Sequence, residues 1–202
     1  IDAGSLVFRN HRCLTMQLRG PAEPWLVAVL LCADPDQLSQ ALHLLYPCRF
    51  DRIDLNMGCP VNKVIKRGAG AALLQDPDRA RRGVDAVVAA STVPVTVKMR
   101  ILDQTDPEPS VRFARGLADS GIAAVTVHGR IRDRFYSGEV AVAVIAAMRE
   151  SLRIPPIANG GVFTAADAAR LREQTGCRRI MLARGAIGNP WLFRDLLGPR
   201  SS

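Results

Sequence analysis

Cys59 sits in the run Asp54-Leu55-Asn56-Met57-Gly58-Cys59-Pro60. A short apolar strand, Ile53 to Leu55, gives way there to polar residues and then to a turn. Gly58 permits a sharp bend, and Pro60 fixes the exit while removing a backbone donor. The pattern holds a thiol at the C-terminal end of a strand, where parallel α/β folds place their chemistry. A thiol so held can serve as nucleophile, proton donor or metal ligand. The plainer reading is a small buried hydrophobe, the usual fate of a free cysteine.

Other strand ends carry chemistry as well. Lys98 closes Val95-Thr96-Val97. A cation there can sit over the N1–C2 carbonyl of a flavin or form a Schiff base; a lysine reaching out to solvent is the plainer reading. His128 closes Val125-Thr126-Val127 and precedes Gly129-Arg130. It can meet a phosphate or a flavin edge, donate a proton, or be a satisfied core histidine. Two glycine-bearing turns come late, Asn159-Gly160-Gly161 and Ala183-Arg184-Gly185. Each follows a strand and opens toward a helix. Backbone N–H groups at such turns bind phosphate, and barrels use the loops after their last two strands for it. No G-x-G-x-x-G run occurs, so a dinucleotide fold of the Rossmann type is unsupported.

These residues need a scaffold of repeated strand–helix units. Strands are predicted at Leu26–Leu31, Ile53–Asn56, Val95–Lys98, Val125–His128, Pro156–Asn159 and Ile180–Ala183. Asp34-Pro35 and Asp76-Pro77 each supply an N-cap followed by Pro at the first helical position. Ser110 is read as the cap of a helix that Gly121 closes, and Val140 as the first apolar mark of the next. Thr164 to Asp167 reads as a capping box. Strands alternating with helices predict a parallel sheet. Polar residues ending nearly every strand favour an α/β fold of the TIM (β/α)8 type over a doubly wound sheet, which gathers ligands at one switch point. Six units are legible, so the barrel is expected to be incomplete. The missing strands belong before Leu26, and residues 1–25 read as an irregular remnant of the barrel start.

The 202 residues include 48% hydrophobic ones, enough for one sizeable core. No apolar run is long enough to span a bilayer, and no secretory leader is legible. The cysteines, at 13, 32, 48, 59 and 177, form no Cys-x-x-Cys pair. Neither a disulfide frame nor a metal site is expected, and a reducing cytoplasm suits them. The formal charge is +8, carried mostly by Arg, which favours phosphate and makes nucleic acid a candidate partner.

The motifs Asp54–Pro60, Gly70-Ala71-Ala72-Leu73-Leu74, Val97-Lys98-Met99-Arg100, Val127-His128-Gly129-Arg130, Ala158-Asn159-Gly160 and Gly188-Asn189-Pro190-Trp191 occur in this order. Together the chain resembles the tRNA-dihydrouridine synthases from about Leu26 to Phe193. The resemblance implies an FMN-binding barrel over residues 26–198 that reduces uridine in tRNA to 5,6-dihydrouridine, with NADPH as reductant. It assigns Cys59 the proton delivered to uracil C5. Lys98 and His128 would hold the flavin, and Asn159, Gly160, Gly161, Ala183 and Arg184 its phosphate end. Asn56 and Arg130 would meet the substrate. The target base would be flipped into the pocket, with Lys63, Lys66, Arg67, Arg132 and Arg134 on the RNA side.

The chain also departs from the family pattern. Nothing matches the opening Ala-Pro-Met strand, Val29 stands where the family has a Gln facing the flavin, and Ala183 and Ile101 replace glycines. The family's C-terminal helical tRNA-binding domain has no counterpart before Ser202. The alternative expectation is therefore a catalytically silent, truncated barrel with at most weak RNA binding.

Overall fold

A computed structural model describes residues 1–15 and 19–198. Six strands, β1 (Val27–Leu30), β2 (Arg52–Met57), β3 (Val95–Arg100), β4 (Ala124–His128), β5 (Pro156–Asn159) and β6 (Arg179–Met181), pair in parallel in chain order. The helices are α1 (Ala3–Val7), α2 (His11–Thr15), α3 (Pro35–Leu45), α4 (Asn62–Ile65), α5 (Pro77–Ala90), α6 (Glu108–Asp119), α7 (Val142–Ser151), α8 (Ala165–Thr175) and α9 (Trp191–Leu197). A parallel sheet with sequential neighbours and a helix in each longer crossover is an arc of a TIM-type barrel.

Side chains alternate across a strand, so each strand has a helix-facing set and an inner set. Ile53, Leu55, Met57, Val97, Met99, Val125, Val127 and Ala158 are buried in one cluster with Leu38, Leu42, Val84, Val87, Leu117, Ile145 and Met148 of the helices. Each larger side chain so buried contributes about 1.5–3 kcal/mol. On β2, β3 and β4 the inner set is mostly polar, and the strand register lines it up. Asn56 pairs with Lys98 and Lys98 with Thr126; one step further along, Arg100 pairs with His128, His128 with Asn159, and Asn159 with Met181. Two rows of functional groups thus cross the inner face near the C-terminal ends of the strands.

The predicted caps at the Asp-Pro pairs form. The Asp34 carboxylate accepts from Asp36 N at 2.9 Å, and that of Asp76 from Arg79 N at 3.0 Å. Thr164 and Asp167 make both bonds of the capping box. Ser110 is not a cap. It is buried inside α6, where its hydroxyl accepts from Leu102 N at 2.9 Å, and the helix begins instead behind Asp106-Pro107. Val140 lies ahead of α7, and β6 ends at Met181, leaving Leu182 and Ala183 to the following turn.

Residues 16–18 lie outside the described residues and residues 19–25 carry no regular element, while residues 1–15 of the segment expected to be irregular are helical in part. They hold α1 and α2, and Asp2 forms a parallel bridge with Leu31. Ile1 O accepts from Leu31 N at 2.9 Å, and Ala3 N donates to Leu31 O at 3.1 Å, so the chain start lies along the β1 side of the sheet. Among the described residues, no helix is long and apolar enough to cross a membrane.

Candidate active site

The Cys59 turn is held from three directions. Asn56, the last polar residue of β2 on the inner face, accepts with Oδ1 from Gly58 N at 3.1 Å and from Cys59 N at 3.0 Å. A side-chain oxygen taking two amides in this way fixes a tight turn. The Cys59 carbonyl accepts from Ala71 N at 3.0 Å. Behind it, Gly70 has φ +61°, and a Cβ there would meet Cys59 O and Val64 Cγ1 at 2.8 Å. Only glycine lets the 68–71 segment pack this closely against the cysteine turn. The third hold is Arg100, whose Nε donates to Gly58 O at 2.8 Å.

A cavity of about 300 Å³ opens beside this turn. Its walls include Asn56, Cys59, Lys98, His128, Asn159, Gly160, Gly161, Ala183 and Arg184. Of the residues singled out in the sequence for catalysis, cofactor or substrate, Arg130 is the one that does not line it. Its buried guanidinium donates to Gly138 O at 2.9 Å and lies 3.4 Å from His128 Nε2, and it borders a neighbouring cavity with Gly160 and Gly161. A buried guanidinium needs acceptors, and the 138 carbonyl and the histidine ring supply them. Arg130 therefore backs His128 rather than facing the opening.

Charge within the site is one-sided. Burial is the largest influence on Lys98, Arg100 adds to it, and together they bring the ammonium down to about 8 against the opposing pull of Asp54. Burial and then Arg100, Lys98, Arg130 and Arg184 bring His128 down to about 3, so its imidazole is neutral at physiological pH. Asp54, one inner-facing step below Asn56, accepts from Thr96 Oγ1 at 2.6 Å, and burial raises its carboxyl above the usual range.

Sequence reasoning assigned no role to Arg100, Phe135, Tyr136 or Phe163. Arg100 NH1 donates to Phe135 O at 2.8 Å and Ile131 O at 3.3 Å, so one guanidinium ties the Cys59 turn to the loop after β4. Phe135 holds φ +48°, a strained backbone for a bulky side chain, and it lines the cavity with Tyr136. The Arg184 guanidinium lies 4.1 Å from the Tyr136 ring centroid and 5.3 Å from that of Phe163. Arg100 carried a legible signal, standing two residues beyond Lys98 and so on the same strand face. The aromatics sit on loops with no periodicity to mark them.

Residues 5–198 match the family model for dihydrouridine synthase. The chain belongs to the dihydrouridine synthase family. It is 41% identical over 161 residues to tRNA-dihydrouridine synthase B of Pasteurella multocida, covering 80% of this chain and 48% of that one. It is 41% identical over 163 residues to the protein of the same name from Xanthomonas campestris, covering 81% and 49%. For Serratia marcescens the figures are 38% over 175 residues, 86% and 52%. The chain thus spans about half the length of these curated relatives. The crystal structure of a Mesorhizobium loti protein, 13% identical, superposes with a TM-score of 0.55 over 85% of this chain and 43% of its own, a likeness of fold alone.

The inner face of this dihydrouridine synthase domain fits a mononucleotide. Gly160 and Gly161 have φ of +127° and +69°, and a Cβ at Gly185 would lie 2.2 Å from Val162 O. The two late turns therefore pack directly against each other. Among the described residues, no loop backbone bond is donated by the amides of Gly161, Arg184 or Gly185. Such a nest of N–H groups beside a guanidinium suits a phosphate. The α8 terminus does not add to it. The Asp167 carboxylate already accepts from Phe163 N at 3.1 Å and Thr164 N at 3.0 Å. Among the described residues, no His, Cys, Asp and Glu group is arranged to hold a metal ion.

Proposed function

We propose that this chain is the FMN-binding part of an enzyme that reduces uridine in tRNA to 5,6-dihydrouridine. The observation that carries the reading is the shared cavity: the Cys59 turn, the Lys98–His128 pair and the phosphate-type turns at 160–161 and 183–185 open onto one space. When bound, FMN supplies the hydride that uracil C6 receives, and NADPH restores it.

The chain's own part is to bind, orient and deliver a proton. The glycine turns and Arg184 hold the phosphate end. Lys98, charged below about pH 8, offers a positive group to the polar edge of the ring. His128, neutral and backed by Arg130, offers a hydrogen bond without adding charge. Cys59 donates its proton to C5 as negative charge develops on the uracil, and regains one from solvent. Asn56 keeps the thiol aimed by holding its turn. The base reaches this space by leaving its stack in the tRNA.

The test is dihydrouridine formation by the chain supplied with FMN, NADPH and unmodified tRNA, compared with Cys59→Ala. Wild type is expected to form product, and the variant to bind flavin normally yet lose about 10²–10⁴-fold in turnover, the range for a general acid. Undiminished turnover by the variant removes Cys59 from the reaction. Flavin binding with no product from wild type removes the assigned activity.

A further inference from the structure

A second cavity lies at the opposite ends of the strands. β5 runs from Pro156 to Asn159, with Asn159 in the wall of the Cys59 cavity and Pro156 in the wall of this one. The back cavity measures about 630 Å³, and Arg149, Arg153, Arg178 and Arg179 line it without any carboxylate among the lining residues. Arg149 comes from the last turn of α7, Arg153 from the link into β5, Arg178 from the link between α8 and β6, and Arg179 from the first position of β6. Leu152, Ile154 and Pro155 form an apolar floor.

These four arginines differ from the others near the active site. Arg100 and Arg130 spend their donors on carbonyls, while Arg67, Arg132 and Arg170 pair with Asp2, Asp133 and Asp167. The four at the back are exposed and, among the described residues, form no ion pair. Like charges gathered on one wall repel, and an anion relieves that repulsion. A guanidinium also matches phosphate geometry better than an ammonium does.

We propose that this back cavity is a second RNA contact that takes backbone phosphates of the same tRNA whose base enters at Cys59. The inference rests on the tRNA reading given above. RNA backbone suits the wall better than a small phosphate. The site is wide and its donors are exposed side chains, and the glycine that lines it, Gly176, is the C-cap of α8 with its amide already donated to Arg172 O. Their wall residues Pro156 and Asn159 are three residues apart along β5, a rise of about 10 Å. A duplex arm lying along the α7–α8 flank passes both ends of the strand.

The test is binding of labelled tRNA over a series of salt concentrations by wild type, Cys59→Ala and the triple variant Arg149→Gln, Arg153→Gln, Arg178→Gln. All three positions are exposed, and unchanged thermal unfolding and FMN spectra would show the triple variant intact. The slope of log affinity against log salt is expected to fall by about 2 to 3 in the triple variant, with affinity about tenfold or more weaker. Cys59→Ala is expected to keep the wild-type slope. A triple variant with wild-type affinity and slope overturns the proposal, as does a wild type that binds no tRNA. The same holds if inorganic phosphate stabilises wild type through these arginines while the RNA slope stays unchanged, since the site then takes a small anion. If the arginine-dependent slope appears but no dihydrouridine forms, the assigned reaction falls and this surface stands.

Discussion

The Nε of Arg100 donates to the carbonyl of Gly58 at 2.8 Å. Through that bond β3 grips the turn that carries Cys59, and through its other nitrogen the same side chain grips Phe135 O. A lysine cannot do both, because it lacks the planar fork that reaches two fixed carbonyls.

Arg100→Lys therefore keeps the charge and loses the clamp. Leaving the buried Gly58 carbonyl unpaired costs about 1–3 kcal/mol, which for a chain of this size lowers the melting temperature by roughly 2–12 °C. Thermal unfolding measures it. An unchanged melting temperature would show that the clamp contributes nothing.

The fold was legible because its signals are local. Asp34-Pro35 and Asp76-Pro77 mark helix starts, and the polar residue at the predicted end of most strands marks the rim. The same rule applied to Asp106-Pro107 places the start of α6 correctly, whereas Ser110 misled because a buried serine and a capping serine look alike in one sequence. Most of the site was legible too, since Asn56, Cys59, Lys98, His128 and Asn159 lie within two residues of a strand end. What stayed hidden depends on distant pairing. Arg100 reaches Phe135 across 35 residues, and Arg184 stacks on Tyr136 from another loop. Arg130 was expected to meet the substrate on the family resemblance, whereas the acceptors at Gly138 and His128 set it behind the histidine, off the Cys59 cavity.

Gly70→Ala tests the packing behind the thiol. The position has φ +61°, and the added methyl would meet Cys59 O at 2.8 Å. Strain of this kind costs about 1–3 kcal/mol. The variant is expected to melt lower and to turn over more slowly, because the methyl pushes on the cysteine turn itself. Full activity together with a lowered melting point would show that the turn tolerates the shift.

Two groups set opposite pH limbs. Lys98 loses its proton at about 8 in the folded chain against an ordinary 10.5, so its charge fades as pH rises through 8. FMN affinity is expected to fall above that pH, and Lys98→Gln to be weaker at pH 7 with no such limb. An affinity flat from pH 7 to 9.5 in wild type would contradict this role.

His128 is held at about 3 against an ordinary 6.5, so the unfolded chain binds the extra proton in between. By linkage, stability falls as pH drops from about 6.5 toward 3. His128→Asn is expected to lose less stability over that window, as read by denaturant unfolding at several pH values. An equal acid sensitivity in both proteins would place the titrating group elsewhere.

The most direct measurement is the rate at which iodoacetamide alkylates Cys59, followed by mass spectrometry with and without FMN. Cys32, also half-buried but beside Asp34 and Gln37 rather than on the Cys59 cavity, serves as the internal reference. FMN at a concentration that saturates the bound-flavin spectrum is expected to slow Cys59 modification several-fold and to leave Cys32 unchanged. Equal Cys59 rates with and without bound flavin would contradict a shared cavity for thiol and cofactor.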